Sequence, residues 1–152
     1  MTARSAGILM YRHAHDALQV LLTHPGGPFW QRRDAGAWTI PKGEIGENED
    51  PQTAARREFR EELGVDIAQT LQPLGEIVQK AGKRVIAFAL QGDFDPAQLR
   101  SNTFELEWPP RSGKRATFPE VDRVAWLDLA AARGKILPAQ IPLLARLEDL
   151  LS

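Results

Sequence analysis

The sequence of 152 residues contains no cysteine. This absence excludes disulfide bridges, thiolate-bound zinc, iron–sulfur clusters and a cysteine nucleophile. The sequence also lacks an apolar run of the roughly 18–20 residues that a membrane-spanning helix requires. Its N-terminal segment has too short an apolar stretch, and no small-residue cleavage site after it, to resemble a signal peptide. We therefore expect a cytoplasmic protein without a membrane partner.

Net charge is nearly absent as well, because 19 basic and 20 acidic residues leave a balance of −1. Such a balance argues against a generic polyanion-binding protein, and no specific nucleic-acid partner is indicated. Glycine and proline number 12 and 11, which is too few for a low-complexity chain. The length predicts a single domain over residues 1–152, and nothing in the sequence indicates an oligomeric state.

The charge is nevertheless unevenly distributed along the chain. Between Gly43 and Asp66 there are eight acidic and three basic residues, so this window carries −5 and the rest of the chain carries +4. The same window contains the clearest predicted helix. Asp50 is a suitable N-cap, Pro51 suits the first helical position, and Gly64 ends a helix that reaches about Leu63.

Three carboxylates share one face of this helix, because a helix advances about 100° per residue. They are Glu58, Glu61 and Glu62. Like charges at this spacing destabilise a helix, and the macrodipole disfavours negative charge near its C-terminal end. One interpretation is a solvated acidic face that Arg57 partly neutralises. The other is a site for Mg²⁺ or Mn²⁺, which prefer carboxylate oxygens, and the preceding Gly43 loop favours it.

The remaining chain predicts mostly strands. They cover residues 7–11, 18–23, 38–40, 71–78, 84–90, 104–108 and 124–127. The almost continuously apolar segment 84–90 is typical of an interior strand, and the alternating segment 104–108 should have one buried face. Residues 24–36 and 109–119 are predicted loops, the second of them basic. Residues 95–99 predict a short helix or turn, and helices are expected near 128–133 and 139–151.

The spacing of residues in the acidic window resembles the Nudix box, G-x5-E-x7-R-E-U-x-E-E-x-G-U, where U is a bulky aliphatic residue. Gly43 is followed after five residues by Glu49, and after seven more by the run Arg57-Glu-Phe-Arg-Glu-Glu-Leu-Gly-Val65. Every fixed position matches, with the aromatic Phe59 at the first U position. The order of the flanking elements is also similar to that of the family.

The resemblance implies an α/β fold, namely an α/β/α sandwich with a mixed β-sheet between helices. It also implies a Nudix pyrophosphohydrolase that cleaves a diphosphate linkage in a nucleoside polyphosphate with Mg²⁺ or Mn²⁺. A non-catalytic Nudix-fold module that binds or regulates through nucleotides is the alternative. Such modules commonly lose box carboxylates, whereas all of them are present here.

The resemblance also assigns roles by position. The metal ligands would be Glu58, Glu61, Glu62 and the carbonyl of Lys42, with Glu49 supporting the metal directly or through water. Arg57 would orient a carboxylate by ion pairing, and Glu58 is also a candidate base. Glu120, shortly before a late strand, resembles a further acid that many members recruit as metal ligand or base. Its alternative is an ordinary acid of a surface loop.

The substrate residues are less narrowly defined. Phe29 or Trp30 is expected to stack on a base, while Trp38 is expected in the core. Phosphate contacts are expected from basic side chains, or these are merely solvated: Arg32, Arg33, Lys42, Arg111, Lys114 and Arg115. The three histidines, His13, His15 and His24, are expected at the surface.

The segment that leads into the box, residues 38–43, resembles that of diadenosine-polyphosphate hydrolases. The tyrosine that those enzymes usually carry about seventeen residues after the box is absent, because Gly82 stands there. A dinucleoside polyphosphate or a (deoxy)nucleoside triphosphate is therefore the expected substrate.

Overall fold

The computed structural model describes residues 4–152 and contains a mixed six-stranded sheet with helices on both faces. The strands are β1 (Arg4–Ala14), β2 (Ala17–Pro25), β3 (Lys42–Glu44), β4 (Gln72–Val78), β5 (Arg84–Gln91), β6 (Thr103–Glu107), β7 (Arg115–Pro119) and β8 (Val121–Asp128). The helices are α1 (Pro51–Leu63), α2 (Leu129–Lys135) and α3 (Ile141–Leu151). Single turns of 3₁₀ helix cover residues 80–82, 96–98 and 138–140.

The sheet has the order β4-β5-β1-β2-β8, with β3 added beside β1. The long strand β1 changes partner along one edge, because Ser5–Gly7 pair with β3 whereas Tyr11–Ala14 pair with β2. Its other edge pairs in parallel with β5, and the remaining pairs of the sheet are antiparallel. The interior position of β5 is the one predicted from its apolar run.

Two separate cores lie on the two faces of the sheet. Alternation along β1 sends Ile8 and Met10 to one face and Leu9 to the other. Helix α1 covers the first face with the buried residues Ala54, Ala55, Phe59 and Leu63. Helix α3 covers the second with Leu143, Leu144 and Leu147. This layering confirms the predicted α/β/α sandwich.

The ends of α1 are fixed by local chemistry. The Asp50 carboxylate accepts a hydrogen bond from the Thr53 N–H at 3.1 Å, and Pro51 occupies the first helical position. Gly64 adopts φ 91°, and its N–H donates to the Arg60 carbonyl at 2.8 Å. The bounds predicted from the sequence are thus confirmed at both ends. No helix among residues 4–152 is long and apolar enough to cross a membrane.

The prediction of a strand at residues 38–40 is wrong. Thr39 exchanges backbone hydrogen bonds with Thr23 at 2.8 and 3.0 Å, whereas the Trp38 N–H donates to the Lys135 carbonyl at 2.9 Å. Neighbouring residues thus bridge to different elements, and a continuous ladder starts only at Lys42. Trp38 itself is buried, as predicted.

The prediction that residues 109–119 form one loop is also wrong in part. Residues 115–119 form β7, which pairs with β6 in a two-stranded ribbon outside the main sheet. The apolar face of this ribbon is only half-buried. Of the three histidines, His13 and His15 are exposed as predicted, but His24 is completely buried.

Candidate active site

Gly43 brings β3 into direct contact with α1. A Cβ atom on Gly43 would lie 2.0 Å from Cδ of Glu58, closer than any real contact between these atoms. Glycine is therefore required for the Glu58 carboxylate to rest against the strand. This contact joins the first residue of the box to its carboxylate-bearing helix.

The backbone of Lys42 faces the same carboxylates. The Ile8 N–H donates to the Pro41 carbonyl at 3.1 Å, which makes Gly7 and Lys42 a non-hydrogen-bonded pair of the ladder. The N–H and carbonyl of such a residue point away from the partner strand. The Lys42 N–H accordingly points toward the Glu62 carboxylate, where it partly offsets the rise in the pKa of Glu62, and the Lys42 carbonyl faces the same edge.

Arg57 connects three of the box carboxylates. Its Nε and Nη2 atoms donate to the two oxygens of Glu49 at 2.9 and 3.1 Å. Its Nη1 atom donates to Glu58 at 2.8 Å and to Glu61 at 3.1 Å. Hydrogen bonds from Arg57 and from the Gly46 N–H lower the pKa of Glu49. Both Glu49 oxygens are thereby engaged, and Glu49 holds the Arg57 guanidinium in place.

In contrast to Glu49, three other acids of the site have raised pKa values: Glu58, Glu62 and Glu120. Burial, followed by the charge of Glu58, raises the pKa of Glu62 to about 8. Burial also raises the pKa of Glu58, although Arg57 counteracts it. The pKa of Glu120 is raised by burial and then by the charge of Glu61. Glu58, Glu62 and Glu120 thus lie close enough to neighbouring carboxylates to have their own ionisation disfavoured.

A short loop places Glu120 beside the C-terminal end of α1. The Asn102 N–H donates to the Glu61 carbonyl at 2.8 Å, and the Glu120 N–H donates to the Asn102 carbonyl at 2.8 Å. The Glu120 carbonyl accepts a further bond from the Gly26 N–H at 2.9 Å. Sequence reasoning missed Asn102, since these bonds use its backbone and no side-chain pattern marks it.

The donor set suits a hard divalent cation. Carboxylate oxygens and a backbone carbonyl are the ligands that Mg²⁺ and Mn²⁺ prefer. No three acidic or histidine side chains within residues 4–152 already converge on one point at ligand distance. Arg57 instead holds Glu58 and Glu61, so we expect these side chains to turn when a cation enters.

Comparisons with known proteins identify the family of this chain. A model of the NUDIX domain matches residues 1–147. The chain belongs to the Nudix family. An RNA pyrophosphohydrolase of Rhodospirillum rubrum is 30% identical over 142 residues, which cover 91% of this chain and 85% of that protein. A second RNA pyrophosphohydrolase, from Bartonella henselae, is 28% identical over 83% of this chain and 76% of its own length.

Solved structures share the fold at lower identity. A C. elegans Ap4A hydrolase in a binary complex has a TM-score of 0.68 and 23% identity, with 99% of this chain and 98% of that chain covered. The NUDIX domain of Shewanella oneidensis NrtR, complexed with ADP ribose, has a TM-score of 0.70 and 16% identity, with 100% and 90% covered. The family and these relatives make the chain a Nudix pyrophosphohydrolase that acts on pyrophosphate linkages.

In this Nudix enzyme, a cavity of about 340 Å³ lies beside the loop after β2. Two of the predicted substrate residues line it, Trp30 and Arg33, and the Arg33 guanidinium lies 5.5 Å from the centre of the Trp30 ring. The opposite wall comes from the loop between β4 and β5 and from residues before α3: Gln79, Lys80, Leu137 and Pro138. These wall residues had no recognisable sequence signal.

The other predicted substrate residues lie outside this cavity lining. Phe29 is 63% exposed, and its ring meets that of Trp108 edge-on at 5.5 Å. Arg32 is exposed, and Arg115 pairs with Glu105 of the ribbon at 3.2 Å. Burial lowers the pKa of Lys42, whose positive neighbour Lys83 adds to the effect. Sequence reasoning missed both Trp108 and Lys83.

A larger open cleft of about 640 Å³ lies beside the end of β5 and the middle of β8. Its lining includes Arg12, Asp93 and Trp126, and none of the box carboxylates. Arg12 pairs with Asp93 at 2.7 Å and stacks over Trp126 at 4.1 Å. These groups satisfy one another, so the carboxylate cluster remains the candidate active site, although it lines neither this cleft nor the cavity beside Trp30.

Proposed function

We propose that this protein hydrolyses a diphosphate linkage in a nucleoside polyphosphate with Mg²⁺ or Mn²⁺. The observation that carries the proposal is the grouping of four carboxylates on and beside α1, at separations short enough for their charges to interact: Glu58, Glu61, Glu62 and Glu120. The raised pKa values of Glu58, Glu62 and Glu120 favour a bound cation, because positive charge relieves the repulsion among the carboxylates. The complete set of acids also favours catalysis over a non-catalytic binding module.

The proposed metal ligands are Glu58, Glu61, Glu62 and the Lys42 carbonyl, with Arg57 and Glu49 fixing their positions. A divalent cation held there would neutralise phosphate charge and lower the pKa of the attacking water. The proton of that water passes to a carboxylate. Glu120 is the candidate base that lies outside the Arg57 ion pairs, whereas Glu58 is the candidate within them.

The cavity beside Trp30 supports a nucleotide substrate. An indole face next to a guanidinium suits a base and its phosphates, and the proline and leucine of the opposite wall supply apolar contact. Lys42, which lies close enough to Glu62, Glu58 and Lys83 to interact with their charges, is the candidate contact for the phosphate chain, together with Lys83. Phe29 offers a second, exposed aromatic face, which favours a substrate with two bases, a dinucleoside polyphosphate. Arg32 and Arg115 are the more peripheral candidates.

A second candidate substrate is the 5′-triphosphate end of RNA. The relatives named RNA pyrophosphohydrolase, which match most of this chain, favour it. Such an end carries a polyphosphate chain, like a dinucleoside polyphosphate, and its first base would occupy the Trp30 cavity. Its second nucleotide would lie toward Phe29. A cytoplasmic location fits either substrate class.

A substrate panel tests the proposal. Diadenosine tetraphosphate, deoxynucleoside triphosphates, ADP-ribose and a short 5′-triphosphorylated RNA would be incubated with Mg²⁺ or Mn²⁺, and the products separated by chromatography. We expect cleavage of a diphosphate bond in at least one nucleotide, with the dinucleotide or RNA end preferred over single nucleotides. The absence of turnover with every member would reject the enzymatic proposal.

A further inference from the structure

His24 is a completely buried histidine at the end of β2, and the residues of the box do not contact it. Both of its ring nitrogens have close polar partners. Nδ1 lies 2.8 Å from Oδ1 of Asp122, and Nε2 lies 2.6 Å from the carbonyl oxygen of Arg33. Its ring also meets the Trp38 ring edge-on at 5.2 Å. No part of its side chain reaches solvent.

The two partners of His24 are both hydrogen-bond acceptors. A carboxylate and a carbonyl oxygen each require a donor, and an imidazole donates from both nitrogens only when both carry a proton. A buried neutral ring would direct a lone pair at one of these oxygens, which is costly without water to replace the bond. Both contacts are hydrogen bonds donated by the ring only when each ring nitrogen carries a proton.

This arrangement connects two parts of the site. Asp122 follows Glu120 by two residues at the start of β8, and Arg33 lines the cavity beside Trp30. The loop that carries Arg33 has a second contact with the segment before β8, because the Gly26 N–H donates a hydrogen bond to the Glu120 carbonyl. The loop over residues 26–36 is thus fixed near both ends to the segment that carries Glu120, the candidate base.

We propose that His24 is a positioning residue whose imidazole cross-links the Arg33 carbonyl to Asp122. The cross-link holds the cavity of Trp30 and Arg33 at a set distance from the carboxylates of α1 and from Glu120. It therefore contributes to substrate binding without touching the reacting atoms. The inference rests on the proposed nucleotide substrate for its effect on activity, but not for its protonation state.

Steady-state kinetics of His24→Asn test the positioning role. An asparagine amide donates to only one of the two oxygens, so we expect KM to rise about 5- to 20-fold while kcat changes less than threefold. Asp122→Asn should give the same pattern, and the exposed His13→Asn is the matched control with unchanged constants. An unchanged KM in both the His24 and Asp122 variants, or a loss confined to kcat, would overturn the proposal.

Nuclear magnetic resonance of the imidazole nitrogens provides a readout that needs no substrate and no variant that folds poorly. At neutral pH the wild-type protein should show N–H protons on both Nδ1 and Nε2 of His24, protected from solvent exchange. A single protonated nitrogen would refute the cross-link. Two protected N–H signals in a protein that cleaves no nucleotide would retain the cross-link and reject only the proposed function.

Discussion

Glu62→Gln isolates the electrostatic cost of the carboxylate cluster. Glutamine keeps the shape of the Glu62 side chain and an oxygen that can face the Lys42 N–H, but it removes the negative charge. In the metal-free wild type, the pKa of Glu62 rises from its ordinary 4.5 to about 8 on folding. The folded protein then binds more protons than the unfolded chain between these pH values, so its free energy of unfolding falls as pH rises through this window.

The size of the effect follows from that pKa difference. If the whole pKa difference of Glu62 acted on stability, the wild type would lose at most about 5 kcal/mol of unfolding free energy above pH 8. Solvent reaches part of the Glu62 side chain and screens the repulsion, so we expect about 2 kcal/mol. In a chain of this size, that corresponds to roughly 4–8 °C in Tm.

Thermal unfolding measures this directly. With EDTA present, Glu62→Gln should match the wild type near pH 4.5 and exceed its Tm by about 4–8 °C at pH 8.5. With Mg²⁺ the wild type should gain stability at pH 8.5, and the variant should gain little because it lacks a ligand. Glu148→Gln, in the exposed ion pair with Arg133, is the matched control and should change neither comparison. A metal-free variant less stable than the wild type at pH 8.5 would refute the reasoning.

Three further substitutions test individual contacts. Gly43→Ala should lower Tm and abolish the Mg²⁺ response in calorimetry, because its Cβ would lie 2.0 Å from Cδ of Glu58; a normal response would contradict the close approach. Arg57→Lys should reduce kcat about 10- to 100-fold, since a lysine cannot hold both Glu49 oxygens, and wild-type turnover would refute that role. Trp30→Ala should raise KM about tenfold with kcat retained, because a stacked base contributes about 1–3 kcal/mol to binding. An unchanged KM would contradict the stacking of a substrate base on Trp30.

The helix and its carboxylates could be predicted because their signals are local. Asp50 and Gly64 act on residues within a few positions, and the spacing of Glu58 and Glu62 determines a shared face before any tertiary contact forms. The surrounding strands were predicted from their apolar and alternating runs, and their order is similar to that of the family. These parts of the fold and the placement of the acids therefore agree with the structure.

The failures arose where distant segments decide the outcome. Residues 38–40 have strand-like composition, but their partners are Thr23 and the end of α2, and no local pattern indicates that division. His24 was expected at the surface because neither Asp122, 98 positions away, nor the Arg33 carbonyl leaves a spacing signal. Lys83 and Trp108 reach their positions through the loops between β4 and β5 and between β6 and β7.

The central claim is that the clustered acids hold a divalent cation that enables hydrolysis of a diphosphate bond. Titration of Mg²⁺ into EDTA-treated protein, with the initial rate on the best nucleotide as the readout, tests it most directly. The rate should rise from near zero to saturation in the wild type and fall at least about 100-fold at saturating Mg²⁺ in Glu58→Gln. Full turnover without a divalent cation, or an unchanged rate in Glu58→Gln, would contradict the account.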